Sequence, residues 1–143
     1  MDNLSFLQFA NIIEPMLRRG ERVSFSPKGR SMQPTISEGD KVTLSAVNKL
    51  SKYDIVLFFT NEQKPVLHRI IGLSKDGKYT MRGDSQAVKE KNITRENIIA
   101  KVVLIEKNGK MIKTEGFAFY FKSFILLHLK YIKRIIKRLL GLS

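Results

Sequence analysis

The sequence predicts a mainly β protein with a helix at each end. Three observations carry that reading. Between residues 21 and 115, short apolar runs alternate with turn signals; two of those signals, Asp76-Gly77 and Asn108-Gly109, are hairpin dipeptides; and outside this stretch apolar residues recur at helical spacing. At 143 residues the chain is long enough to bury about 70% of its unfolded surface. It divides into an N-terminal helix (1–20), a β domain (21–115) and a C-terminal helix (116–143).

Met1 to Gly20 reads as an amphipathic helix, with Phe6, Phe9, Ile13, Met16 and Leu17 on one face and Gly20 as its C-cap. Pro15 is expected to kink it or end it early. It does not resemble a secretory leader, because Asp2 and Asn3 stand where basic residues belong and Glu14 interrupts the apolar run. Expected strands follow at 22–26, 41–46, 54–60, 66–73, 78–82, 98–107 and 111–114. Glu38-Gly39-Asp40 marks a further turn. In the last segment Phe121, Phe124, Ile125, His128, Leu129, Ile132, Ile135, Ile136, Leu139 and Leu140 share one helical face. Lys130, Lys133, Arg134, Lys137 and Arg138 lie opposite.

Charge and composition narrow the function classes. The formal net charge is +13, and residues 117–143 hold six basic residues and no acid. A basic face opposite an aromatic and aliphatic one suits an anionic membrane surface, and the five cations from Lys130 to Arg138 are the expected contacts. The competing expectation is that the helix packs on the β domain or a partner subunit; a specific nucleic-acid partner is not expected. Zero cysteines exclude disulfides, thiolate metal sites and a thiol nucleophile. With two histidines and no HxxxH spacing, a His-rich metal site is not expected, and no cofactor is expected either.

One loop carries chemistry. Gly29 and Pro34 punctuate Lys28-Gly29-Arg30-Ser31-Met32-Gln33-Pro34-Thr35-Ile36, the way a chain presents a hydroxyl and its own N–H at an irregular turn. Ser-Met-x-Pro-Thr-Ile, followed by Gly-Asp and a strand, resembles the nucleophile box of the signal peptidase I family, in the same clan as the LexA-type self-cleaving repressors. Asp54-Ile55-Val56-Leu57-Phe58 and Val66-Leu67-His68-Arg69-Ile70-Ile71-Gly72 resemble the segments that lead to and bear the general base. Tyr79-Thr80-Met81-Arg82-Gly83-Asp84-Ser85 resembles the family's Gly-Asp box.

The resemblance implies a signal peptidase/LexA-like β domain and a serine endopeptidase acting on a peptide or protein substrate. Ser31 is the implied nucleophile, His68 the base in place of the more common lysine, and Asp84 the carboxylate that orients His68. Glu90 stands where the His-containing branch carries a second Asp. Gly29, Arg30 and Met32 are the expected oxyanion or substrate-binding positions, although Gly29 replaces a serine that many members have. Lys64 shares the strand parity of His68 and is the alternative base. Histidine ionises near 6.5 in model peptides and lysine near 10.4, so a histidine base implies a rate that falls below about pH 6 to 7.

Family members of the secretory type work beyond the membrane on a transmembrane anchor. The first 20 residues hold no such segment, and the basic tail favours the cytoplasmic side. The expectation is therefore a cytoplasmic endopeptidase, peripheral on the inner face of the cell membrane, that trims a leader or precursor peptide. The alternative is a peptidase-fold module with weak or absent catalysis that binds peptides or anionic membrane.

Overall fold

The computed structural model describes residues 3–142, with side chains from residue 7 onward; Met1, Asp2, Ser143 and the Phe6 side chain lie outside this range. Helix α1 runs Asn3–Arg18. Pro15 sits inside it without ending it, its ring on the solvent side. Ile13 and Leu17 bury against the sheet, which outweighs the one backbone bond that a proline forfeits. Gly20 takes φ +81°, and the Glu21 N–H bonds the Met16 carbonyl at 3.1 Å, so the helix ends on the expected glycine.

Eight strands follow: β1 (Val23–Phe25), β2 (Lys41–Ser45), β3 (Ile55–Phe59), β4 (Pro65–Leu73), β5 (Tyr79–Arg82), β6 (Lys89–Ile93), β7 (Ile98–Lys107) and β8 (Lys110–Lys113). They form one antiparallel sheet in the order β1-β2-β7-β3-β4-β5-β6, with β8 hairpinned onto β7. Seven of these strands match the expected ones to within one or two residues. The strand absent from the expectation is β6. Its sequence Lys-Glu-Lys-Asn-Ile has no apolar alternation because it is an edge strand with its side chains mostly in water.

Strand β3 reads as an unbroken apolar run because both its faces are covered. Ile55 and Leu57 enter a cluster with Ile13, Leu17, Val42, Val102 and Phe119. Val56 and Phe58 enter a second one with Ile70, Met81, Ile93 and Ile98. The first cluster joins α1, the sheet and the root of the C-terminal helix α2 (Phe117–Leu139) around shared side chains. The three segments read from the sequence are thus one packed body up to about Ser123.

The root of α2 is fastened by polar contacts as well. Tyr120 donates its hydroxyl to Asp54 at 2.8 Å, and Asp54 also accepts from Lys101 and from the Ser51 N–H. Burial and then the bond to Asp54 push the Tyr120 hydroxyl from 10.0 up to about 12. Because the folded state keeps this proton longer than the unfolded chain does, the associated stability is complete below pH 10 and disappears as the pH climbs towards 12. Tyr120→Phe is expected to be less stable than wild type at pH 9, with the difference shrinking by pH 12. Urea unfolding at the two pH values measures this, and a constant difference contradicts it.

Beyond His128 the helix changes character: from Leu129 to Leu142, Ile132 is the single half-buried residue and the others are exposed. The apolar stripe there faces no part of the domain, with Ile136 48% and Leu139 80% accessible. The expectation that this stripe packs on the β domain therefore holds only for the helix root.

Candidate active site

The loop around Ser31 is a single tight turn. Gln33 N–H bonds the Arg30 carbonyl at 3.2 Å and Ile36 N–H bonds that of Met32 at 2.9 Å. Met32 and Ile36 bury into the first cluster and so tie the turn to the sheet, while Ser31 stays half-buried beside them. Gly29 takes φ +95°, a left-handed conformation that L side chains rarely adopt. The glycine that replaces the family's serine is thus required by the backbone as it stands.

A second turn clasps the first from behind. The Ser85 N–H bonds the Ser31 carbonyl at 3.0 Å, and the Ser85 hydroxyl bonds that of Arg30 at 2.7 Å. Gly83 makes this approach possible, since a Cβ there would stand 2.6 Å from the Ser31 carbonyl oxygen. A backbone atom cannot swing aside as a flexible side chain can. Gly83→Ala is expected to displace the Ser31 turn and lower the rate at Ser31 by about 100-fold, while leaving the fold intact by circular dichroism. A rate within twofold of wild type contradicts the clasp.

Ser31 and His68 line the same cavity, of about 250 Å³, together with Phe25, Pro27, Gly29, Met32 and Leu67. Its walls are the segment after β1 and the start of β4. The pairing of β5 with β4 begins only at Arg69↔Arg82, so residues 65–68 are paired with β3 on one side and border the cavity on the other. Of the expected substrate-binding positions, Gly29 and Met32 line the cavity; the Arg30 side chain is exposed and contributes its carbonyl to the clasp instead. Lys64 is an exposed residue paired with Glu62 at 3.3 Å, and it is not among the residues lining the cavity.

The carboxylate beside His68 is Glu90. His68 is almost wholly buried, and its Nδ1 lies 3.1 Å from Glu90 Oε2. In the neutral form of the ring, a carboxylate acceptor at this distance places the proton on Nδ1 and the lone pair on Nε2. Asp84, expected in this place, is bound elsewhere. Its two oxygens accept from Arg69 Nε and Nη2, both at 2.7 Å, and Oδ2 also accepts from Thr35. The physical reason is strand alternation. His68 and Arg69 are neighbours on β4 and point to opposite faces, so the turn after β5 can serve only one of them. Glu90 reaches His68 through β6, where it pairs with Met81 on the face that His68 shares with Val56 and Phe58.

Arg69, Thr35 and Ser123 form the part of this region that sequence reasoning missed. Arg69 stood inside the base-bearing motif with no role assigned, and an arginine beside an apolar strand run is the one signal that pointed to it. Among the described residues, no group of His, Asp and Glu is arranged to hold a metal ion.

Residues 5–120 match the family model described as signal peptidase, peptidase S26. The chain belongs to this family. An antiparallel sheet with a helix at each end agrees with the S26 fold, and membership supports a peptidase function in general terms. Comparison with the curated proteins returns no match. The S26 match takes in the Ser31 turn, β4, the Gly83–Ser85 turn, β6 and the first residues of α2, and it stops short of Ser123. Among the described residues, no helix of this S26 protein is long and apolar enough to cross a membrane.

Proposed function

We propose that this protein is a serine endopeptidase in which Ser31 is the nucleophile, His68 the general base and Glu90 the carboxylate that orients it. The observation that carries this reading is that Ser31 and His68 line one cavity while Nδ1 of His68 is engaged by Glu90, which leaves Nε2 for the serine. An extended peptide enters between the segment after β1 and residues 65–68. Ser31 Oγ attacks the scissile carbonyl as Nε2 takes its proton. Backbone N–H groups of the 29–32 turn stabilise the oxyanion, and the imidazolium returns the proton to the leaving amine. Water then hydrolyses the acyl ester by the same route.

The test is acylation of Ser31 by a serine-reactive fluorophosphonate, followed by intact mass. Expected is labelling that His68→Ala abolishes, Lys64→Ala leaves alone and Glu90→Gln slows by roughly 10- to 100-fold. Loss of labelling in Lys64→Ala with retention in His68→Ala overturns the assignment, and a wild-type Ser31 that never labels favours the peptide-binding module without catalysis.

The distal half of α2 is the proposed membrane contact. Its exposed apolar stripe and the cations Lys130, Lys133, Arg134, Lys137 and Arg138 suit the anionic inner face of the cell membrane, where the substrate is a leader or precursor peptide. Reversing Lys133, Arg134, Lys137 and Arg138 to Glu spares the helix root and is expected to abolish flotation with vesicles containing phosphatidylserine. Equal flotation of both forms removes the lipid contact.

A further inference from the structure

The guanidinium of Arg69 is buried, and every one of its five N–H donors has an acceptor. Nε bonds Asp84 Oδ1 at 2.7 Å; Nη2 bonds Asp84 Oδ2 at 2.7 Å and Thr35 Oγ1 at 3.2 Å; Nη1 bonds the Tyr53 carbonyl at 2.9 Å and Ser123 Oγ at 2.6 Å. Four of these acceptors come from the β domain. The fifth comes from α2. Ser123 is itself buried and donates its hydroxyl proton to the Phe119 carbonyl at 2.8 Å, so its lone pairs are turned towards the arginine. The Phe119 ring lies 5.3 Å from the guanidinium carbon and covers it.

Two short routes lead from this arginine to the nucleophile. Asp84 belongs to the turn whose next residue, Ser85, holds the carbonyls of Arg30 and Ser31. Thr35 lies on the nucleophile loop four residues after Ser31. Both routes pass through a guanidinium whose geometry Ser123 completes, and Ser123 lies beyond the residues that the S26 model matches.

We propose that Ser123 is a positioning residue for Ser31, acting through Arg69, so that the root of α2 is a working part of the peptidase as well as the base of its surface helix. Losing the Ser123 hydroxyl leaves one buried N–H unpaired, and the guanidinium turns to find another partner. Asp84 and Thr35 follow it, and the clasp on the Ser31 carbonyl loosens. The inference rests on Ser31 being the nucleophile, and its test separates the two.

The experiment compares wild type, Ser123→Ala and Ser123→Thr in the full chain. Two quantities are read: the saturating rate and half-saturating concentration for Ser31 acylation by a peptidyl fluorophosphonate, and hydrogen exchange of the Ser85 amide. Ser123→Ala is expected to lower the saturating rate by about 10-fold with the half-saturating concentration unchanged, and to speed Ser85 exchange by a similar factor. Ser123→Thr restores both; its extra methyl has room in the adjoining cavity of about 270 Å³ between α2 and the sheet. A Ser123→Ala protein that melts earlier yet keeps wild-type acylation and Ser85 exchange overturns the proposal, because Ser123 then only fills the core. If wild-type Ser31 is never acylated, the catalytic reading fails, and the exchange comparison still decides whether Ser123 holds the turn.

Discussion

Ser31→Ala is expected to abolish peptide-bond cleavage, lowering kcat/KM by roughly 10⁴- to 10⁶-fold, with no measurable loss of stability. The effect on rate is large because, in the proposed mechanism, the hydroxyl supplies the bond-forming electron pair, and the rest of the site would retain only substrate binding and oxyanion stabilisation. The fold is spared because Ser31 is half-buried and the turn is held by its carbonyl, which alanine keeps. Cleavage of a peptide substrate, followed by mass spectrometry alongside thermal melting, measures both. A Ser31→Ala protein that cleaves within tenfold of wild type shows that another group attacks the carbonyl.

Arg69→Met is expected to have the largest effect on stability, costing about 3 to 5 kcal/mol and lowering Tm by about 10 °C or more. Both side chains of the Arg69–Asp84 pair are essentially inaccessible to water, so removing one partner strands the other charge in the interior. The double variant Arg69→Met with Asp84→Leu is expected to regain much of that loss, since no unpaired charge remains. The contrast with Glu90 is diagnostic. Its side chain is 22% accessible on an edge strand, so Glu90→Gln is expected to change the rate and leave Tm within about 3 °C of wild type. Guanidinium unfolding of the four proteins checks this. A stable Arg69→Met, or a strongly destabilised Glu90→Gln, reverses the roles given to the two carboxylates.

Much of the architecture was legible because its signals are local. The hairpin glycines, the apolar run of β3 and the helical spacing of Ile13 and Leu17 each announce an element without reference to the rest of the chain. The motifs around Ser31 and His68 pointed to the loop and the strand that border one cavity. β6 was hidden because an edge strand with solvated side chains resembles a polar loop. That one omission concealed the partner of His68, since Glu90 arrives beside the imidazole only through the pairing of β6 with β5. Pro15 misled in the opposite direction, its local preference being overruled by packing on either side of it.

The amino-acid sequence alone determined the order of the elements other than β6, the cationic face of the last helix and two of the residues that line one cavity. Each of these depends on neighbours within a few positions. The tertiary structure decided which carboxylate faces His68 and what Asp84 holds instead. Neighbouring residues on a strand face opposite ways, and the layers packed above and below it determine which charges each one meets. Only the folded chain brings Asp84, Thr35 and Ser123, from three separate segments, around the same guanidinium.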